Sequence, residues 1–168
     1  MQTISLNVTA NFTRPADTTA YASGDLVANS TTAGSVVLIS WTIPERSQLW
    51  LRRIKIKKTG TGVTNASFRL WLTTTSDATF SNGDNGALSI AASSLDISNV
   101  FGPFDIDVDS GLTGSGAVGI STFDEGLHAI YAGSWANGKG TLYGFLEARG
   151  AYTPSSAEVF TIDLRANA

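Results

Sequence analysis

Residues 4–12 read Ile-Ser-Leu-Asn-Val-Thr-Ala-Asn-Phe, with an apolar residue at every even position and a polar one at every odd position between them. Successive side chains point to opposite faces of a strand, so this order makes one apolar and one wet face and cannot lay an apolar stripe along a helix. The period recurs at Phe68-Arg69-Leu70-Trp71-Leu72, where Phe68, Leu70 and Leu72 turn inward and Arg69 and Trp71 outward. It recurs again over Glu158–Leu164, with Phe160, Ile162 and Leu164 inside. Further strands are predicted at Ser35–Thr42, Leu49–Lys58, Phe104–Val108, Ala117–Phe123, Leu127–Tyr131 and Thr141–Ala148, separated by turn-forming clusters such as Ser81-Asn82-Gly83-Asp84-Asn85-Gly86.

One strand changes phase within itself. From Leu49 to Leu51 the apolar positions are odd, whereas Ile54 and Ile56 are even. A β-bulge at Arg52-Arg53 restores the inward face, because one extra residue flips the register. Only Ala87–Ser98 has a helix-like spacing, and it is short and Ser-rich, so a turn of helix or an irregular loop is expected there. About eight to ten strands with mixed connection lengths predict an all-β chain, an antiparallel β-sandwich of jelly-roll-like type. No repeat, heptad or linker divides the chain, so residues 1–168 are expected to form a single domain, with an extended arm at 13–25 where Pro15 interrupts a Thr-rich run.

Composition narrows the function classes. A chain of 168 residues suits one domain and buries about 70% of its unfolded surface without staples. There is no Cys and one His, His128, which removes disulfide scaffolds, thiolate nucleophiles and His- or Cys-rich metal sites. No apolar run approaches the roughly 20 residues of a spanning helix, so no membrane partner is expected. Met1 leads straight into the alternating strand, so no secretory signal is expected. Charged residues are only 15% of a Ser/Thr/Gly-rich chain, a composition closer to an extracellular or virion β-protein than to a cytosolic enzyme. A net charge of −3 and a pI near 5.0 argue against nucleic acid as a partner. The charges are nevertheless segregated: seven of the eleven basic residues lie between Arg46 and Arg69, and Leu70–Gly138 holds eight acids and no Lys or Arg. Two solvated sheet faces explain that pattern; so does self-complementarity, in which a basic face of one subunit meets an acidic edge of the next.

The residues that carry chemistry elsewhere are sparse here. His128 is the one candidate base for a Ser-His-Asp arrangement, and it sits in a strand pattern opposite Leu127 and Ala129, as a structural or surface histidine does. Asp105, Asp107 and Asp109 alternate with Phe104, Ile106 and Val108, which puts the three acids on one strand face about 6.8 Å apart. That spacing falls in the inverting-glycosidase range, but any wet-faced strand shows it. As a calcium loop the same run has Ser110 where Gly is needed and Gly116 where Glu is needed, and Asn82–Asn85 is explained by an ordinary tight turn. No catalytic residue, metal site or cofactor is therefore expected. Among the four Trp, Trp41 shares a face with Val37 and Ile39 and is assigned to the core. Trp71 lies on an outward face and Trp135 in a loop, where exposed aromatics serve protein interfaces or stack on sugars.

Thr13–Asp25, Leu51–Gly60 followed by Asn65–Leu70, and Leu146–Glu158 are three stretches that resemble recurrent segments of small virion proteins from tailed bacteriophages. The resemblance spans most of the chain in the expected order, and within that class it is most similar to capsid decoration, or cement, proteins. It implies a non-enzymatic β-sandwich on the capsid exterior of the virion, made in the host cytoplasm, that binds the major capsid protein of the assembled shell. It also implies a homo-oligomer, expected to be a trimer, and the charge blocks suggest heterologous subunit contacts that close into a ring. The alternative is a receptor- or glycan-binding module of a tail fibre, since jelly rolls also serve as lectins. Arg14, Pro15, Asp17 and Tyr21 of the arm are the candidate partner contacts, with Trp71 and Trp135 as further candidates. Arg14 offers a planar fork of donors, Pro15 limits the arm's freedom, and Tyr21 can bury its ring with its hydroxyl bonded. The competing reading makes the arm a connection packed on its own subunit, with Arg14 and Asp17 paired locally.

Overall fold

The structure, a computed structural model, describes residues 5–44, 49–91, 99–112, 114, 116–123, 129–130 and 139–167. Their strands are β1 (Ser5–Thr13), β2 (Leu26–Val27), β3 (Ile39–Pro44), β4 (Leu49–Lys58), β5 (Ser67–Thr73), β6 (Val100–Asp107), β7 (Ser110–Leu112), β8 (Gly116–Thr122), β9 (Ala129–Ile130), β10 (Lys139–Ala148) and β11 (Val159–Asn167). A 3₁₀ turn lies at Ala33–Ser35.

Two antiparallel sheets face each other. The first runs β1-β11-β4-β8-β7, with β9 on β4, and the second runs β2-β10-β5-β6, with β3 also on β10. The pairings β1·β11, β3·β10, β4·β8 and β5·β6 fold one long antiparallel ribbon over on itself, so four strands of each half interleave as 1-11-4-8 and 3-10-5-6. That is a jelly roll, as the strand pattern predicts. Between the sheets lie the even-numbered positions of the alternating strands: Ile54, Ile56, Phe68, Leu70, Leu72, Phe160 and Ile162 are fully buried. Trp41 joins them, its indole N–H donating to the Ile162 carbonyl at 3.0 Å.

The predicted bulge is present. Arg165 pairs with Arg53 and the next residue, Ala166, pairs with Leu51, leaving Arg52 as the extra residue and both Leu51 and Ile54 in the core. Elsewhere two expectations shift. Strand β3 begins at Ile39 rather than Ser35, because the Asn29 side chain accepts the Val37 N–H at 2.8 Å and holds residues 33–37 in a turn. Of the stretch Ala87–Ser98, residues 92–98 lie outside the described part, and 87–91 is not helical but forms bridges from Asp25 to Ala87 and from Phe80 to Ile90. Those bridges fold residues 78–90 over the outer face of the second sheet. There Leu26, Ala28, Phe80 and Phe145 make a second, smaller core, with Trp71 packed at its side. Among the described residues no helix is long and apolar enough to cross a membrane.

Candidate functional site

The arm at residues 13–25 is tied to its own subunit along its length. Arg14 donates its backbone N–H to Glu158 O at 3.0 Å, Tyr21 to Tyr152 O at 2.9 Å and Gly24 to Ala148 O at 2.8 Å. The expectation that Arg14 and Tyr21 present themselves to a partner is corrected here: both are 2% exposed. The physical reason is phase. Arg14 continues the even-numbered, inward-facing row of Leu6, Val8, Ala10 and Phe12, so its guanidinium enters the interior and needs a buried counter-charge.

Asp84 supplies it. Arg14 Nη2 donates to Asp84 Oδ2 at 2.7 Å, and both side chains are fully buried. Arg14 Nε donates to the Tyr21 hydroxyl, which donates in turn to Asp84 Oδ1 at 2.6 Å. The Ala28 N–H adds a third bond to the carboxylate at 2.8 Å. Burial pulls the Arg14 guanidinium down, but its interactions with Tyr21 and Asp84 outweigh that and raise it. Burial and the Asp84 charge together push the Tyr21 phenol far above the ordinary tyrosine range. Arg14 does not pair with the Asp17 carboxylate; its Nη1 donates to the Asp17 carbonyl at 3.2 Å. The Asp17 carboxylate instead accepts the Thr19 N–H at 2.7 Å, which holds it below the usual carboxylate range.

A second triad stacks against the first. Lys58 Nζ lies 3.3 Å from Glu158 Oε1, both side chains being fully buried, and donates to the carbonyls of Gly60 at 2.8 Å and Gly62 at 2.5 Å. The Tyr152 hydroxyl bonds Glu158 Oε1 and Oε2 at 2.7 and 2.5 Å. The Tyr21 and Tyr152 rings are stacked, 6.3 Å apart and 6° from parallel. Each cation also sits 4.8 Å from the centre of its own tyrosine ring. Burial draws the Lys58 amine down despite the attraction of Glu158, and burial and Glu158 push the Tyr152 phenol up. Two glycines make the approach possible: a Cβ on Gly60 would lie 2.0 Å from Glu158 Oε1, and one on Gly83, beside Asp84, 2.2 Å from the Thr31 backbone.

The remaining candidates do not gather into a site. Pro15 and Asp17 are half-buried at the outer side of the arm. Trp71 does lie on the outward face, but its indole N–H donates to Glu147 Oε2 at 3.0 Å. Phe145 stacks on its ring and the Arg69 guanidinium lies 6.0 Å from the ring centre. Trp135 and His128 lie outside the described residues. Asp105 and Asp107 are exposed on one face of β6 as predicted, and Asp105 is held by both nitrogens of a bidentate bond from Arg69 at 2.6 and 2.8 Å. That bond holds the Asp105 carboxyl below the usual range. Among the described residues no three His, Cys, Asp or Glu side chains are grouped as a metal site.

The basic stretch is divided by the fold. Arg53, Lys55 and Lys57 alternate outward from β4, Lys58 is internal, and Arg69 belongs to the second sheet. Sequence reasoning missed Lys58, Tyr152, Glu158 and Asp84 as a set. The signal for two of them was present: Lys58 shares the inward phase of Ile54 and Ile56, and Glu158 that of Phe160 and Ile162. No family model matches the chain, and comparison with curated proteins and with solved structures returns no similar protein. Thr13–Asp25 contributes Arg14 and Tyr21, Leu51–Gly60 contributes Lys58, and Leu146–Glu158 contributes Tyr152 and Glu158. These three stretches, far apart in the sequence, thus meet in one buried polar layer.

Proposed function

We propose that this chain is a non-enzymatic bacteriophage virion protein that decorates the capsid exterior and stabilises the assembled shell by binding the major capsid protein. The observation that carries the reading is the meeting of the three resembling stretches in a single layer of one jelly roll. A decoration protein acts by mass action: it binds the lattice and not its separated pieces, so disassembly becomes costlier in proportion to occupancy. Such a role needs a rigid domain and an outer surface, and no catalytic group, cofactor, nucleic acid or membrane. The internal triads supply rigidity, and the contact with the shell falls to outward residues, Pro15 and Asp17 of the arm among them.

Co-sedimentation of the purified protein with undecorated shells of the phage that encodes it tests the reading. Saturable binding, together with shells that withstand a higher temperature, is expected. Electron-microscopic density for this chain at the tail tip alone, with a bare capsid, would sink it. The tail-fibre alternative predicts a sugar preference on a glycan array; with the Trp71 ring stacked on Phe145 and its indole N–H committed to Glu147, none is expected from that residue.

A further inference from the structure

Among the described residues every sheet edge except one carries a device against pairing with another chain, the two-residue β9 on β4 included. Strand β6 contains Pro103 and turns Asp105 and Asp107 outward, β7 is three residues long, β2 is two, and β3 is six and closes on Pro44. Short length, proline and charge are the usual protections of an edge. Strand β1 has none of them: it is nine residues long, Ser5–Thr13, without a charge, a proline or a glycine. It pairs with β11 in unbroken register along one side.

The open side can be assigned atom by atom. The Arg14 N–H bonds Glu158 O, so 14·158 is a hydrogen-bonded pair, and in an antiparallel ladder such pairs alternate. The even residues of β1 therefore exchange their bonds with β11, and Ser5, Asn7, Thr9, Asn11 and Thr13 turn N–H and C=O to the free edge. Among the described residues nothing bonds these backbone groups. A groove of about 520 Å³ runs beside them, lined by Thr9–Thr13, Asn29 and residues 37–40, with Val37 at its rim 68% exposed.

We propose that this edge pairs with β1 of a second copy across a two-fold axis at Thr9, joining the first sheets of both subunits into one. The occupant is argued from the strand's own order. An antiparallel register centred on Thr9 sets Thr9 opposite Thr9, Asn7 opposite Asn11 and Ser5 opposite Thr13 on the wet face. On the inner face it sets Leu6 opposite Phe12 and Val8 opposite Ala10. Polar meets polar, apolar meets apolar, no like charges oppose, and the residues with free backbone groups fall into hydrogen-bonding pairs. The contact is isologous, and differs from the heterologous one that the charge blocks suggest. It does not depend on the chain being a capsid protein.

The test is sedimentation of the full chain from about 1 to 500 µM, the range a small strand-to-strand interface requires. Wild type is expected to move toward twice 17.6 kDa as concentration rises. The variant Asn7→Lys/Asn11→Lys, with both positions exposed, is expected to keep its thermal midpoint and weaken self-association at least about tenfold. Mixing it with Asn7→Glu/Asn11→Glu sets Lys opposite Glu at both positions and is expected to restore a heterodimer. A wild type that stays monomeric throughout, a trimer with no dimer, or a dimer indifferent to the lysines would each overturn the proposal.

Discussion

The triads Arg14–Tyr21–Asp84 and Lys58–Tyr152–Glu158 have the same parts and hold their cations differently. Arg14 is matched to its carboxylate by geometry: a nitrogen to each of Asp84 and Tyr21, with the closest ion contact 2.7 Å. Lys58 stands 3.3 Å from Glu158 and leans on two backbone carbonyls instead. An arginine stays charged at any pH a protein survives, whereas a buried lysine can shed its proton. The first triad is therefore a locked ion pair. The second is a softer one, in which backbone oxygens share the work of the carboxylate. They differ in reach as well. Asp84 belongs to a loop that joins no strand of the first sheet, so the Arg14 pair fastens that loop to the domain, while the Lys58 pair joins the ends of two strands, β4 and β11, that already pair.

Removing the locked partner should break the comparison most clearly. Asp84→Ala leaves the Arg14 guanidinium buried and unpaired and the Ala28 N–H without its acceptor, and should cost about 3–5 kcal/mol by denaturant unfolding. Glu158→Gln should cost less, about 2–3 kcal/mol, because Lys58 keeps its two carbonyls and can lose its charge. Equal losses would mean that the two cations are held alike. Arg14→Lys should fall next, about 1–2 kcal/mol, since a single ammonium cannot serve Tyr21 and Asp84 together in the fork's geometry.

Alkaline pH sharpens the difference between phenols and amine. Tyr21 and Tyr152 are both held above the ordinary range, so their stabilising contribution is complete below the unfolded value of about 10 and is lost as pH rises beyond it. The loss should approach roughly 1.4 kcal/mol per pH unit for each tyrosine. Lys58 is shifted downward and acts in the other direction: its contribution is complete above about 10.4 and lost as pH falls through its folded value. Thermal midpoints should therefore fall steeply above pH about 10.5, where only the phenols remain active, and Tyr21→Phe or Tyr152→Phe should flatten that slope. The smallest effect is the surface reference. Arg69→Ala, breaking the bidentate but partly exposed pair with Asp105, should change stability by no more than about 1 kcal/mol.

The alternation of side chains was enough to determine the long strands β1, β4, β5, β10 and β11, their inward residues and the bulge beside Arg52, because a period of two leaves each residue one face to occupy. It also determined, though less visibly, that Arg14, Lys58 and Glu158 are internal, since each sits in the apolar phase of its own strand. The phase says that a charge enters the core and nothing about what meets it there. Asp84 lies in a turn whose order, Asn-Gly-Asp-Asn, reads the same whether its carboxylate faces water, a cation or calcium. Only the folding of residues 78–90 across the second sheet brings it to Arg14, 70 positions away in the chain. The open edge of β1 is of the same kind: its nine residues would read no differently in the middle of a sheet. Strand order comes from long-range pairing, which no local pattern encodes, and among the described residues that order alone left β1 at the border of its sheet with half its backbone groups unpaired.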